Sequence, residues 1–477
     1  MSEHPRTGAR DNCGVFAVYA RDEDVAKLCF YGLYALQHRG QESAGIAVSD
    51  GRNILVSKEM GLVSQVFNEA RLAGMDGHLG IGHVRYSTTG ASTWDNAQPA
   101  FKVTPSGSGL ALAHNGNLVN TAELARGLAV AGGEECTTDS EVLATLLAGN
   151  GKVGTEEALA ATCRAVRGAF SLVVMDESSI YAARDAHGVR PLVIGRLPRG
   201  GYVIASETAA LDIVGAHLLR EVEPGEIVSA GPGGLRSRRF AEPIPSGCLF
   251  EYVYVARPDH RFAETTVYAA RRRMGALLAA EAPVDADLVI PVPDSGTAAA
   301  SGYAQASGIP YAEGLTKNRY VGRTFIQPTQ SLRQLGIRLK LNPLPDVLKD
   351  RRLVVVDDSI VRGNTSRQLV AMLREAAAAE VHLRITAPPI RNPCFYGIDM
   401  ATRAELIGSG LSVDEIRDFV GADSLAYLSL DALVTTTRRP KNSLCRACFD
   451  GDYPIPVPGE QVAGGKDVLV PAARGAR

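Results

Sequence analysis

The sequence lacks several things, and each absence narrows its possible roles. No apolar run approaches the roughly 20 residues needed to cross a bilayer, which argues against a membrane-spanning protein. The opening stretch, MSEHPRTGARDN, has no apolar core of the kind a secretory signal needs, so a cytoplasmic protein is expected. Neither sign of charge is in surplus. Lys and Arg total 50 against 52 Asp and Glu, a net charge of −2, so no global basic field would draw the chain to nucleic acid. No internal repeat is visible. Eight cysteines in a long unexported chain are then thiols, nucleophiles or metal ligands rather than a disulfide framework.

What is present begins with size and composition. At 477 residues the chain is too long for one core, and two domains are expected. A hydrophobic content of 45% with 21% charged residues is ordinary for a globular protein. Residues 1–12 are polar, carry no periodic pattern and, taken alone, read as a frayed terminus. From Cys13 to about residue 240, strand-like runs (CGVFAVYA, GIAVSD, LGIGHVRYST, LALAHNGNLV, FSLVVMD, IYAARD, PLVIG) outnumber helical patterns near residues 24–37, 120–131 and 138–149. This half is α+β with a layered sheet. Prolines and small residues in AEPIPSGC, residues 241–248, mark a domain boundary. Beyond it strand and helix alternate, which implies a parallel sheet with crossover helices. The stretch after about residue 456 is rich in Gly, Ala and Pro and reads as a loose tail.

The most informative stretch is RRLVVVDDSIVRGNTSRQLV, residues 351–370. Leu353 to Val356 form a short apolar run without alternation, as in a strand buried on both faces. Asp357 and Asp358 then fall at its carboxyl end, where parallel sheets place their ligands. Gly363 to Ser366 form a turn of small residues before a helical pattern, RQLVAMLREAAAAE, and the amides opening a helix suit a phosphate. Carboxylates for hydroxyls beside amides for a phosphate suit a sugar phosphate. Either half alone could be only a turn or an N-cap. A second turn, Pro293 to Gly296, follows the strand-like LVIPV and offers amides of the same kind.

The 351–370 string resembles the PRPP-binding motif of the type I phosphoribosyltransferases. The resemblance implies that Asp357 and Asp358 hold the ribose hydroxyls and that Arg362, Gly363, Asn364, Thr365 and Ser366 cradle the 5-phosphate. One magnesium ion per subunit is implied, bridging pyrophosphate and ribose oxygens near Ser295, Asp357 and Asp358.

Alone, Cys13 is one thiol at the head of a strand, and most such cysteines are inert. CGVFAVY, LQHRGQESAGI, GIGHVRYSTTG, HNGNL and TDSE, however, occur in the order found in class II glutamine amidotransferase domains, which are N-terminal-nucleophile hydrolases. That resemblance implies a layered αββα domain in which Cys13 is the nucleophile and Asn115 and Gly116 form the oxyanion hole. It implies that Arg85 grips the glutamine α-carboxylate, Asp139 its α-ammonium, and that Arg39 orders the site. Cutting between Asn12 and Cys13 would free an α-amino group that titrates near pH 7.7–8.0 and can serve as the base.

Cys29, Cys136 and Cys163 read as ordinary thiols, whereas Cys445 and Cys448 form a C-x-x-C open to zinc, redox and iron–sulfur roles. The strings around Cys248 (CLFEYVYVARPD) and Cys394 (NPCFYGIDM) resemble those carrying iron–sulfur ligands in one branch of the glutamine PRPP amidotransferases. The resemblance implies one 4Fe–4S cluster per subunit on Cys248, Cys394, Cys445 and Cys448, fastening the carboxyl-terminal segment to the synthase domain.

Joined, the two halves resemble that family over roughly residues 13–455. This implies a propeptide (1–12), a glutamine amidotransferase domain (13–245), an α/β type I phosphoribosyltransferase domain carrying the cluster ligands (246–455) and a flexible tail (456–477). Glutamine and PRPP are the implied substrates, purine nucleotides the implied feedback inhibitors, and an allosteric homotetramer the implied assembly. The basic loop at residues 317–343 is the implied lid. Another amidotransferase sharing only the first half lacks a use for DDSIVRGNTS, and a PRPP-sensing regulator has no use for the glutamine-site strings.

Overall fold

The computed structural model describes residues 13–86, 91–130, 136–318, 338, 340–400, 402–464 and 469. The expected leader, most of the expected lid and the end of the expected tail lie outside the described residues.

In the first half two antiparallel sheets stack face to face between helices. One sheet runs in the order His217–Glu221, Val193–Arg196, Tyr202–Ala205, Gly14–Tyr19, Leu79–Arg85, Ser43–Ser49, Ile54–Met60. The other runs Gly234–Arg239, Glu226–Gly231, Ile180–Arg184, Gly168–Met175, Gly109–Leu118, Ala100–Val103. The run GVFAVY shows why no polar alternation appears in the sequence, since both of its faces are buried. Phe16 and Val18 pack under the helix Val25–Ala35 with Leu33 and Leu36. Val15, Ala17 and Tyr19 face the second sheet with Ala111, Ala113 and Val173. On the far side Leu112, Leu172 and Val174 meet the helices Asp139–Gly149 and Thr155–Ala165. The order helix, sheet, sheet, helix is the expected αββα arrangement.

The second half is built on a parallel sheet, Leu288–Pro291, Arg352–Asp357, Glu380–Ile385 and Ser424–Tyr427 in that spatial order. Its central strand alternates between two cores. Val354 and Val356 pack with the helices Val267–Glu281 and Thr297–Ser307, and Leu353 and Val355 with Asn364–Glu375 and Val413–Val420. Helices on both faces account for the unbroken apolar run. The alanine run read as the end of a helix differs: the helix stops at Glu375, Ala377 turns at φ 64°, and Glu380 opens the next strand. Four alanines favour a helix locally, but Ala378 is buried in the core with Leu373 and Val381, and the strand from Glu380 pairs with Arg352–Asp357.

Where the halves meet, Glu251–Val255 form one turn of π-helix, a geometry frequent at functional sites. Gly247–Cys248 just before it pairs in parallel with Leu444–Cys445, which sets Cys248 opposite Cys445. The Cys248 N–H donates to the Val189 carbonyl at 3.1 Å, tying this junction to the first half. No described helix is long and apolar enough to cross a membrane.

Candidate active sites

Cys13 lies at the mouth of the strand Gly14–Tyr19 and is buried. Four expected residues, Cys13, Arg85, Gly116 and Asp139, line one cavity. Each arrives from a different element. Arg85 ends the strand Leu79–Arg85, Gly116 lies on Gly109–Leu118, and Asp139 opens the helix Asp139–Gly149. Asp139 is held in place by amides: Leu118 N–H donates to Oδ2 at 3.2 Å and Ser140 N–H to Oδ1 at 2.8 Å. A Cβ on Gly116 would stand 2.0 Å from the Ala169 carbonyl oxygen, so only glycine lets the strand approach there. Asn115 is buried but does not line the cavity; its Nδ2 donates to Ser206 Oγ at 3.4 Å.

The Cys13 thiol donates to the Tyr86 carbonyl at 3.4 Å. Burial pushes this thiol up to about 11, against smaller lowering effects from that hydrogen bond and from Arg85. Such a thiol is protonated at neutral pH and needs a base. His114 also lines the cavity, but burial pushes its imidazole down despite the nearby Asp139 carboxylate, which leaves it a weak acceptor for the thiol proton. Gln98, Thr138 and Ser140, which sequence reading did not single out, complete much of the wall. Ser140 Oγ accepts from Gln98 Nε2 at 2.9 Å, a pairing 42 residues apart that no local pattern reveals.

Arg39 does not line the cavity. Its Nε donates to the Cys13 carbonyl at 3.1 Å, so it grips the main chain of the expected nucleophile. Its guanidinium is fully buried between Glu207 and Glu251, with Nη2 2.7 Å from Glu251 Oε1. Burial opposes ionisation of all three. The arginine is nevertheless held above its ordinary value by the two carboxylates, and both glutamates are held below theirs, Glu251 by Arg39 and Arg190, Glu207 by His38 and Arg39. Glu251 also accepts from Arg190 Nη1 at 3.1 Å.

Arg190 in turn lines a second, largely apolar cavity together with Cys248, Cys394, Cys445 and Cys448. The four thiols come from three separate segments. Among the described residues no three His, Cys, Asp or Glu side chains close on a single metal ion. That does not tell against a cluster, in which each thiolate binds a different iron and the sulfurs stand further apart. A soft four-thiol set in an apolar chamber fits such a group.

In the second half Asp357 closes its strand and Asp358 follows it directly. Asp358 accepts from Ser359 Oγ and is also hydrogen-bonded by Ser295, which brings the two sequence-predicted turns together. Both carboxyls are pushed up, first by burial and, for Asp357, next by the charge of Asp358. Two crowded acids of this kind fit a divalent cation. Gly363, at φ 76°, caps the helix Asn364–Glu375 and swings Asn364, Thr365 and Ser366 into its first turn, where amides lack intrahelical partners. Arg362 Nη2 donates to Glu405 at 2.9 Å. The buried Arg271 donates to the carbonyls of Tyr252 and Ala256 at the π turn and lies close enough to Asp358 to lower its carboxyl. Of the expected lid, the flanks Leu315–Lys317 and Leu341–Pro343 pair as an antiparallel ribbon, and Lys317 meets Asp294.

Residues 83–212 match a glutamine amidotransferase domain family. The amidophosphoribosyltransferase of Mycobacterium tuberculosis (strain ATCC 25618 / H37Rv) is 58% identical over 490 residues, covering 99% of this chain and 93% of that protein. The glutamine PRPP amidotransferase of B. subtilis, solved with ADP and GMP, is 46% identical, with a TM-score of 0.88 over 94% of this chain and 98% of its own. A second structure, described as the allosteric regulatory enzyme of purine biosynthesis, is 46% identical with a TM-score of 0.90, covering 96% of this chain and 99% of its own.

Proposed function

The chain belongs to the amidophosphoribosyltransferase family, and from that premise we propose how its own residues divide the reaction. It is an enzyme that hydrolyses glutamine and transfers the ammonia to C1 of PRPP, giving 5-phosphoribosylamine, glutamate and pyrophosphate, the first step of purine biosynthesis.

In the proposed mechanism the Cys13 sulfur attacks the glutamine amide carbon. Its proton passes to the α-amino group freed when residues 1–12 are removed, and from there to the departing ammonia. Water then releases glutamate from the thioester. The Gly116 N–H stabilises the oxyanion, joined by the Asn115 amide once it turns from Ser206 towards the cavity; Arg85 and Asp139 hold the two ends of the amino acid, and Arg39 fixes the Cys13 main chain. Ammonia must stay unprotonated until it reaches C1, so a passage closed to water is required. Residues 317–343 are the proposed lid on PRPP binding.

Asp357 and Asp358 orient the ribose hydroxyls, and Arg362 to Ser366 take the 5-phosphate at the helix start. Magnesium, held near Ser295, Asp357 and Asp358, would neutralise the departing pyrophosphate. Cys248, Cys394, Cys445 and Cys448 would hold a 4Fe–4S cluster, whose contribution when bound is cross-linking rather than chemistry. The division into residues 1–12, 13–245, 246–455 and 456–477, a cytoplasmic homotetramer, and feedback inhibition by purine nucleotides complete the reading. The ADP and GMP in the B. subtilis structure support the last point.

One observation carries the glutamine half: Cys13, Arg85, Gly116 and Asp139, spread over more than a hundred residues of sequence, surround one cavity. Replacing Cys13→Ala should abolish glutamine-dependent synthesis, a loss of at least ~10³-fold, while synthesis from added ammonium stays within about twofold. Equal loss of both would contradict two separable sites.

A further inference from the structure

We propose that Arg190 and Glu251 are positioning residues that couple occupation of the four-cysteine chamber to the seating of Cys13. The inference rests on the cluster reading above and goes beyond it, because a cluster that only fastened the carboxyl-terminal segment would have no line to the glutamine site.

Two threads join the chamber to that site. The first is ionic and fully buried. Arg190, in the chamber wall, donates to Glu251 at 3.1 Å; Glu251 accepts from Arg39 at 2.7 and 3.1 Å; Arg39 donates to the Cys13 carbonyl at 3.1 Å. The second runs through the backbone beside Cys394. Asn117, next to Gly116 on the same strand, donates from Nδ2 to the Phe395 carbonyl at 3.0 Å. The nucleophile and the strand of the expected oxyanion hole are thus each tied to the wall of the same chamber.

The ionic thread is suited to transmission because Glu251 is shared between two guanidiniums in a dry interior, where charges interact strongly and cannot be replaced by water. Thiolates are the form of cysteine that binds metal, so filling the chamber sets negative charge beside Arg190. Arg190 then divides its pull between the chamber and Glu251, and Glu251 leans further on Arg39. The carbonyl of Cys13 is the last link, adjacent to the atoms that attack and that accept the proton.

Coupling of this kind is reciprocal, which supplies the test. The intact purified enzyme is treated with a glutamine-like chloroketone to cap Cys13, and bleaching of its visible absorption in air is timed against uncapped enzyme. Capping is expected to change the bleaching rate by about fivefold. In Arg190→Met and Glu251→Gln the iron content should match the native protein and ammonium-dependent synthesis should persist. Cys13 capping should slow by about tenfold in both, and the effect of capping on bleaching should vanish. Arg190→Lys, which keeps the charge, should recover part of both effects and serves where Arg190→Met does not fold. A native bleaching rate indifferent to capping, or variants that keep the response, would overturn the coupling and leave the cluster in place. An active native enzyme free of iron would overturn the cluster reading and the coupling together.

Discussion

Asp357 and Asp358 show at the scale of single residues how a proposed binding site would be stored as unfavourable charge. Each carboxyl is raised by burial, and Asp357 further by its neighbour. A carboxyl raised on folding contributes stability below its unfolded value, near pH 3.9, and loses that contribution as pH rises through its folded value. At neutral pH the ligand-free pair is therefore destabilising. Asp357→Asn should raise the melting temperature of the ligand-free enzyme at pH 7.5 by about 2–4 °C, corresponding to about 1 kcal/mol. The gain should disappear near pH 4. The same variant should lose PRPP-dependent synthesis by at least ~10²-fold while basal glutamine hydrolysis persists. A lower melting temperature at pH 7.5 would count against this account of the pair. The placing of these two acids at the end of a strand was legible in the sequence because the apolar run and the acids are contiguous. Cys13 was legible only through the company of its motifs, since nothing in CGVFAVY alone distinguishes a nucleophile from a core thiol.

At the scale of elements, the unit from Arg352 to Glu375 carries the proposed phosphate end of the site, and its hinge is Gly363. The residue sits at φ 76°, and a Cβ there would meet Ile407 Cδ1 at 2.8 Å and the Phe419 ring at 3.0 Å. Gly363→Ala should destabilise the chain by about 1–2 kcal/mol and, by displacing the first turn of the helix, raise the KM for PRPP by about tenfold. Titration of initial rates against PRPP checks this, and an unchanged KM would show that the turn tolerates a side chain. The strand and helix of this unit were readable from apolar run, turn and periodicity. The end of the helix was not: Ala376 to Ala379 favour continuation locally, and only the pairing of Glu380–Ile385 with its neighbours decides that the chain turns.

On the scale of the whole molecule, the halves are joined by contacts that no window of sequence contains. Arg39 and Glu251 are 212 positions apart, Arg190 and Glu251 are 61 apart, and the pattern around each reads as ordinary. Cys248 and Cys445 were individually visible, but their pairing across Gly247–Cys248 and Leu444–Cys445 is a product of the fold. The layered first half and the parallel second half, by contrast, followed from apolar runs and the alternation of elements. The claim on which the rest depends is that nitrogen leaves glutamine at Cys13 and reaches PRPP without meeting solvent. The direct measurement is synthesis from amide-¹⁵N glutamine and PRPP in the presence of excess unlabelled ammonium at a pH where little of it is free ammonia. Product that keeps the label, with glutamate and pyrophosphate formed in equal amounts, is the predicted result; product labelled no more than the bulk ammonium pool, or glutamate released without pyrophosphate, would contradict it.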